Sequence, residues 1–160
     1  MPERSTIVRA QRDKAQGKAP STQAGEFVRE EMHHIREGKH GARSSKQAIA
    51  IGLNTARRAG VDLEPPKEGS EQTKRSARSA TRRAGKKVSA RRSRAASSAL
   101  QREGRSAASH TALARQGRSS ARGRTSTARS GAAQKAARTK GATGRSAAAR
   151  KAAGTRQRHS

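Results

Sequence analysis

Beyond residue 65 only Val88, Leu100 and Leu113 carry a large aliphatic side chain. Three such groups cannot offset an ordering cost of about 1–2 kcal/mol per residue over so long a stretch. In the whole chain Ile, Leu, Val and Phe number 13 of 160 residues, roughly 8%, against the ~20% below which a highly charged chain is expected to stay disordered. The expected architecture is therefore a small all-α head joined to a long intrinsically disordered basic tail.

Charge divides the chain in the same place. Residues 1–64 hold 12 Lys/Arg and 8 Asp/Glu, whereas residues 65–160 hold 26 and 3. A formal charge of +27 makes self-repulsion dominate unless a polyanion is present, so a partner of opposite sign is expected. With no cysteine, neither disulfides, thiolate metal sites nor a cysteine nucleophile can form. The longest apolar run, Ala48 to Leu53, is six residues, short of the ~20 of a membrane span, and the N-terminus lacks a secretory apolar stretch. A cytoplasmic, nucleoid-associated protein without a membrane role is the corresponding expectation.

The head is read from periodicity and caps. Residues 1–20 form an arm with a marginal third helix, about Ser5 to Gln16, ended by Gly17 and Pro20. After Pro20, Ala24, Phe27, Val28, Met32 and Ile35 recur at helical spacing up to Gly38, predicting an amphipathic helix over 22–37. Ser44-Ser45-Lys46-Gln47 has capping-box spacing and starts a second helix, with Ala48, Ile49, Gly52, Leu53 and Ala56 inward and Gly60 and Val61 as its stop. Residues 21–63 thus read as a helical hairpin, 64–66 as a proline linker and 67–160 as the tail. So small a core rarely gives more than ~3–5 kcal/mol, which makes homo-oligomerisation through the hairpin a means of stabilising it, with Ile51 as either a lone exposed residue or a dimer contact.

The tail is low-complexity. Arg-Ser-Ala recurs at 75–77, 78–80, 105–107 and 145–147 without a solenoid period. Ser89 to Arg102 and Ala132 to Lys140 are the stretches expected to become helical once phosphates screen their repulsion. Arginine outnumbers lysine there 19 to 7, and guanidinium groups bind phosphate oxygens through bidentate, charge-assisted hydrogen bonds. The candidate nucleic-acid-binding residues are Arg75, Arg78, Arg82, Arg83, Lys86, Lys87, Arg91, Arg92, Arg94, Arg118, Arg122 and Arg124. Head contacts of the same kind are Lys39, Arg43, Lys46, Arg57 and Arg58. One Phe and no Trp or Tyr removes the stacking platforms of sequence-reading RNA modules, which favours duplex DNA over RNA.

In the second helix Lys46, Gln47, Asn54, Thr55 and Arg58 are of types that reach base edges. The seven-residue link exceeds a usual helix-turn-helix turn, and no third helix braces the pair, so positioning or oligomerisation is the preferred role. His33, His34 and His40 lie near Glu30, Glu31 and Glu37 at ligand-like spacing, yet on an exposed helix this reads as solvated polar surface, with no metal and no cofactor expected. No phosphate-cradling loop, nucleophile elbow or buried carboxylate pair is legible, and the chain is not expected to be an enzyme.

The segment EFVREEMHHIREGKHGARSSKQAIAIGL from Glu26, followed by Ala56-Arg57-Arg58-Ala59-Gly60, resembles the core of an uncharacterised bacterial family of small basic proteins over about Pro20 to Gly60. The resemblance implies a bacterial, cytoplasmic setting and a shared head, and supplies no catalytic residue. The tail resembles linker-histone and bacterial histone-like tails, although those are usually lysine-rich and proline-bearing. Here arginine dominates and no proline follows Pro66. The functional expectation is sequence-nonspecific DNA binding with histone-like compaction or bridging. The alternatives are an RNA or ribosome chaperone, and a hairpin regulator or adaptor whose tail only raises encounter rates. A membrane-active role is disfavoured because the tail lacks an apolar helical face.

Overall fold

The computed structural model describes residues 2–86 and 88–157, with the side chains of 139, 140 and 156 outside the description. Among the described residues helices are distributed along the whole chain: α1 (Arg4–Ala15), α2 (Pro20–Glu37), α3 (Ser45–Arg58), α4 (Glu71–Arg82), α5 (Ala90–Gln101), a 3-10 turn (Ser106–Ala108), α6 (His110–Arg122) and α7 (Ser126–Gln157). The expected disordered tail is thus overturned. Four helices and the 3-10 turn occupy the region read as a coreless polyelectrolyte.

Two compact units follow one another, Met1–Gln116 and Gly117–Ser160. In the first, α2 and α3 pack antiparallel, α1 lies against α2, and α4 against α3. The N-terminal helix is no loose arm: Ala10 joins Ala24, Phe27, Ala56 and Val61 in one core cluster, flanked by Ile7, Leu53 and Leu63. Gly38 ends α2 in the left-handed conformation at φ 80°, where Lys39 N–H donates to the His34 carbonyl at 3.0 Å. The Ser44 side chain accepts from Gln47 N–H at 3.2 Å, capping α3.

A second core cluster explains why the tail orders. Met32, Ile35, Ala42 and Ala48 bury themselves together with Ala107 and Ala108 of the 3-10 turn. That turn wedges between the end of α2 and the start of α3. Gly41 N–H donates to the Leu100 carbonyl at 2.9 Å and Ala42 N–H to the Gly104 carbonyl at 3.0 Å. Arg36 Nε donates to the Ala108 carbonyl at 2.9 Å, and the Ser45 hydroxyl to the Ala107 carbonyl. The approach is so close that a Cβ on Gly41 would run into the Glu103 carbonyl.

The expectation failed because it counted only large side chains. Apolar residues make up 29% of the chain, and most of the difference is alanine. Ala77 and Ala80 on α4, with Ala107 and Ala108, are buried. Alanine packs closely at no rotamer cost, and alanine and arginine are both strong helix formers. Ile51, off the main stripe, is half-buried rather than exposed.

In the second unit α7 breaks at Gly141, whose φ of 65° and ψ of 177° depart from the helix. Arg145 donates to the Ala137 carbonyl across the break at 2.7 Å. Propensity, rather than a core of large side chains, accounts for helix here.

Candidate nucleic-acid interface

On α4, Arg75, Arg78 and Arg82 stand three and four residues apart and all are exposed. The buried residues of that helix, Ala77 and Ala80, fall on its other side. Helix periodicity thus separates one packing face from one guanidinium stripe. Arg83, at the helix end, and Lys86 are exposed as well, while Lys87 lies outside the described residues. Arg91, Arg92 and Arg94 occupy the first half of α5, which buries no residue.

In the unit Gly117–Ser160, Arg118, Arg122 and Arg124 are exposed. Residues 117–160 contain 12 Lys/Arg and no Asp/Glu, and no carboxylate side chain follows Glu103 anywhere in the chain. None of the described tail residues named above carries an ion pair among the described residues. The contrast is with the N-terminal helices, where Arg9 pairs with Glu26 at 2.7 Å and Lys18 with Asp13 at 2.6 Å. In α4, Lys74 pairs with Glu71 at 3.0 Å.

The head residues named with them divide. Arg43 and Lys46 are exposed. Lys39 is held by Glu37 at 3.1 Å and Glu3 at 3.4 Å, so it is not a free cation. Arg57 is buried, donating to the Leu63 carbonyl at 3.1 Å and the Glu64 carbonyl at 2.9 Å. Burial lowers its pKa, and its guanidinium ties the chain after α3 rather than facing a ligand. Arg58 is half-buried, and its carbonyl accepts from Gly85 N–H at 3.0 Å.

Three of the five base-reading residue types on α3 are likewise engaged within the molecule. Gln47 Oε1 accepts from Arg43 N–H at 2.8 Å, Asn54 donates to Ser76 at 3.4 Å, and Thr55 donates to the Ile51 carbonyl at 3.0 Å. With α4 packed against α3, this helix is not presented as a recognition helix. Phe27 is 2% exposed and offers no base a stacking surface. No described helix is long and apolar enough to cross a membrane.

The histidine–glutamate group differs most from its sequence reading. His33 and Glu37 form an exposed pair at 3.0 Å. His34 and His40 are largely buried, and Glu30 and Glu31 more so. His34 Nε2 lies 3.1 Å from Glu3 Oε1 and 3.7 Å from Glu30 Oε1. The two imidazoles meet edge to face with centroids 6.2 Å apart. Burial raises the Glu31 carboxyl, against the pull of His40 and His34. His34, His40, Glu30 and Glu31 thus form an enclosed cluster, while His33 and Glu37 remain solvated surface; the signal missed is that Glu3 and the loop after Gly38 pack against it.

No protein-family model, curated protein or solved structure matches the chain.

Proposed function

We propose that the protein binds nucleic acid without sequence specificity, duplex DNA in preference to RNA, by neutralising backbone phosphates with arginines fixed on helices. The observation that carries this reading is the set of exposed guanidinium groups that, among the described residues, have no carboxylate partner on α4 and α5 and again in residues 117–157. An exposed guanidinium without a carboxylate partner keeps donors for the bidentate phosphate geometry. Holding it on a helix also lowers the ordering cost that a coil would meet on binding. Each of the two units carries its own set, so one molecule has the means to engage two duplex segments and bridge or compact them.

Duplex is favoured over single strands because Phe27, the one aromatic residue apart from histidine, is buried and base stacking is denied. Of the α3 side chains that would read base edges, Gln47, Asn54 and Thr55 are bonded within the molecule, which argues for backbone contacts in place of a regulator's base readout. The test is a competition titration of labelled duplex DNA against structured RNA of equal length over a salt series. Tight binding at low salt with a steep log–log salt slope is expected, and DNA outcompeting RNA. Preference for RNA at equal salt would transfer the reading to an RNA chaperone, and indifference to both would end it.

A further inference from the structure

We propose that Glu31, His34 and His40 form a binding site for a divalent transition cation of the zinc class. One ligand atom from each of the three lies within 4.8 Å of the others, and Glu3, Glu30 and His34 make an adjoining group of the same kind. Two imidazoles and a carboxylate are the donor set that borderline divalent cations take, leaving a fourth position to water or a further carboxylate.

Glu31 provides the independent observation. Its side chain is 9% exposed, and Oε1 is fully buried with no hydrogen-bond donor among the described residues. A buried carboxylate oxygen left in that state is costly unless something positive sits against it. The group facing it is His40 Nε2, at 3.6 Å, too far for a hydrogen bond.

The tautomer of His40 sharpens the argument. Its Nδ1 lies 3.2 Å from the Gly41 carbonyl, an acceptor only, so Nδ1 carries the proton and donates. In the neutral ring Nε2 then presents a lone pair towards the lone pairs of Glu31 Oε1. A bound cation resolves that opposition. Donors ~2.1 Å from a tetrahedral ion stand about 3.4 Å apart, close to the separation found. The Gly41 carbonyl meanwhile supplies the outer hydrogen bond that orients a ligating imidazole.

The surroundings suit a cation in an otherwise repulsive molecule. Glu3, Glu30, Glu31 and Glu37 gather here, with Lys39 as the neighbouring base, on a chain of formal charge +27. His40 stands in the loop after α2, beside the Gly41 N–H that bonds Leu100. Metal at this point would also pin that loop where the 3-10 segment docks.

The test adds Zn2+ or Co2+ to the full-length, metal-free protein. Expected are one equivalent of Co2+ giving a tetrahedral visible spectrum, its displacement by Zn2+, and a higher melting temperature with either ion. Glu31→Gln, nearly isosteric, and His40→Asn should weaken uptake by more than the ~10–100-fold of an outer-contact change, while His33→Asn leaves it intact. Far-UV circular dichroism of the metal-free variants separates lost ligation from lost folding. Failure of the wild type to take up either ion saturably, or undiminished uptake by a folded Glu31→Gln, would overturn the proposal.

Discussion

The Ser45 hydroxyl donates to the Ala107 carbonyl at 2.6 Å, across 62 residues of sequence. This buried bond joins the first turn of α3 to the 3-10 segment, and the Gly41–Leu100 and Ala42–Gly104 backbone bonds run beside it. Removing the hydroxyl leaves a buried carbonyl unmatched, which costs about 1–3 kcal/mol. Ser45→Ala should therefore lower the denaturation midpoint by that amount, with hydrogen exchange quickening first over residues 100–108. Unchanged exchange there would mean that the segment is held without this bond.

Gly41→Ala should be the harsher change. The added methyl group meets the Glu103 backbone rather than a yielding side chain, so either the loop or the docked segment must move. A loss of about 2–4 kcal/mol is expected, in the range of overpacked or broken core contacts. Chemical denaturation compared with Gly25→Ala, where a Cβ meets nothing, isolates the clash from the general effect of the substitution.

Replacing Arg75, Arg78 and Arg82 with glutamine should weaken duplex binding and flatten its salt dependence. At about 0.9 per phosphate contact on duplex DNA, three lost contacts reduce the log–log slope by roughly 3. Arg57→Gln tests the converse. Buried and bonded to the Leu63 and Glu64 carbonyls, Arg57 should affect the melting temperature and leave the salt slope alone.

Glu37 and Lys39 report on pH. The Lys39 hydrogen bond lowers the Glu37 carboxyl below its usual value of 4.5, and the same bond raises Lys39 above 10.5. The carboxylate's contribution is present above 4.5 and is lost as pH falls through the lowered value. The ammonium's is present below 10.5 and is lost as pH rises through the raised one. Lys39→Gln should move the Glu37 midpoint, followed by carboxyl NMR titration, upward towards its ordinary value.

Local signals in the head were legible because each acts within a few residues. The serine–glutamine spacing at 44–47 placed the start of α3, and Gly38 the end of α2. Even there, Gln47 reaches Arg43 N–H rather than Ser44. The tail departs from its reading because alanine enters a tally of large side chains as nothing, yet Ala107 and Ala108 are buried in one core with Met32 and Ile35. The exposed arginines were legible as residue types. Their presentation on helices, and the withdrawal of Arg57 and Lys39 from the set, depend on contacts with Leu63, Glu64, Glu37 and Glu3 that periodicity does not encode. The histidine–glutamate spacing was legible too, but its enclosure comes from Glu3, whose N–H bonds Glu30 at 2.7 Å from 27 residues away.

Because Ala107 and Ala108 complete the core that Met32 and Ile35 begin, the order of synthesis matters. A nascent chain that has delivered only α1 to α3 holds an open apolar groove, and it stays open until the 3-10 turn has been made. The cations of residues 117–160 are made only after the segment that fills that groove.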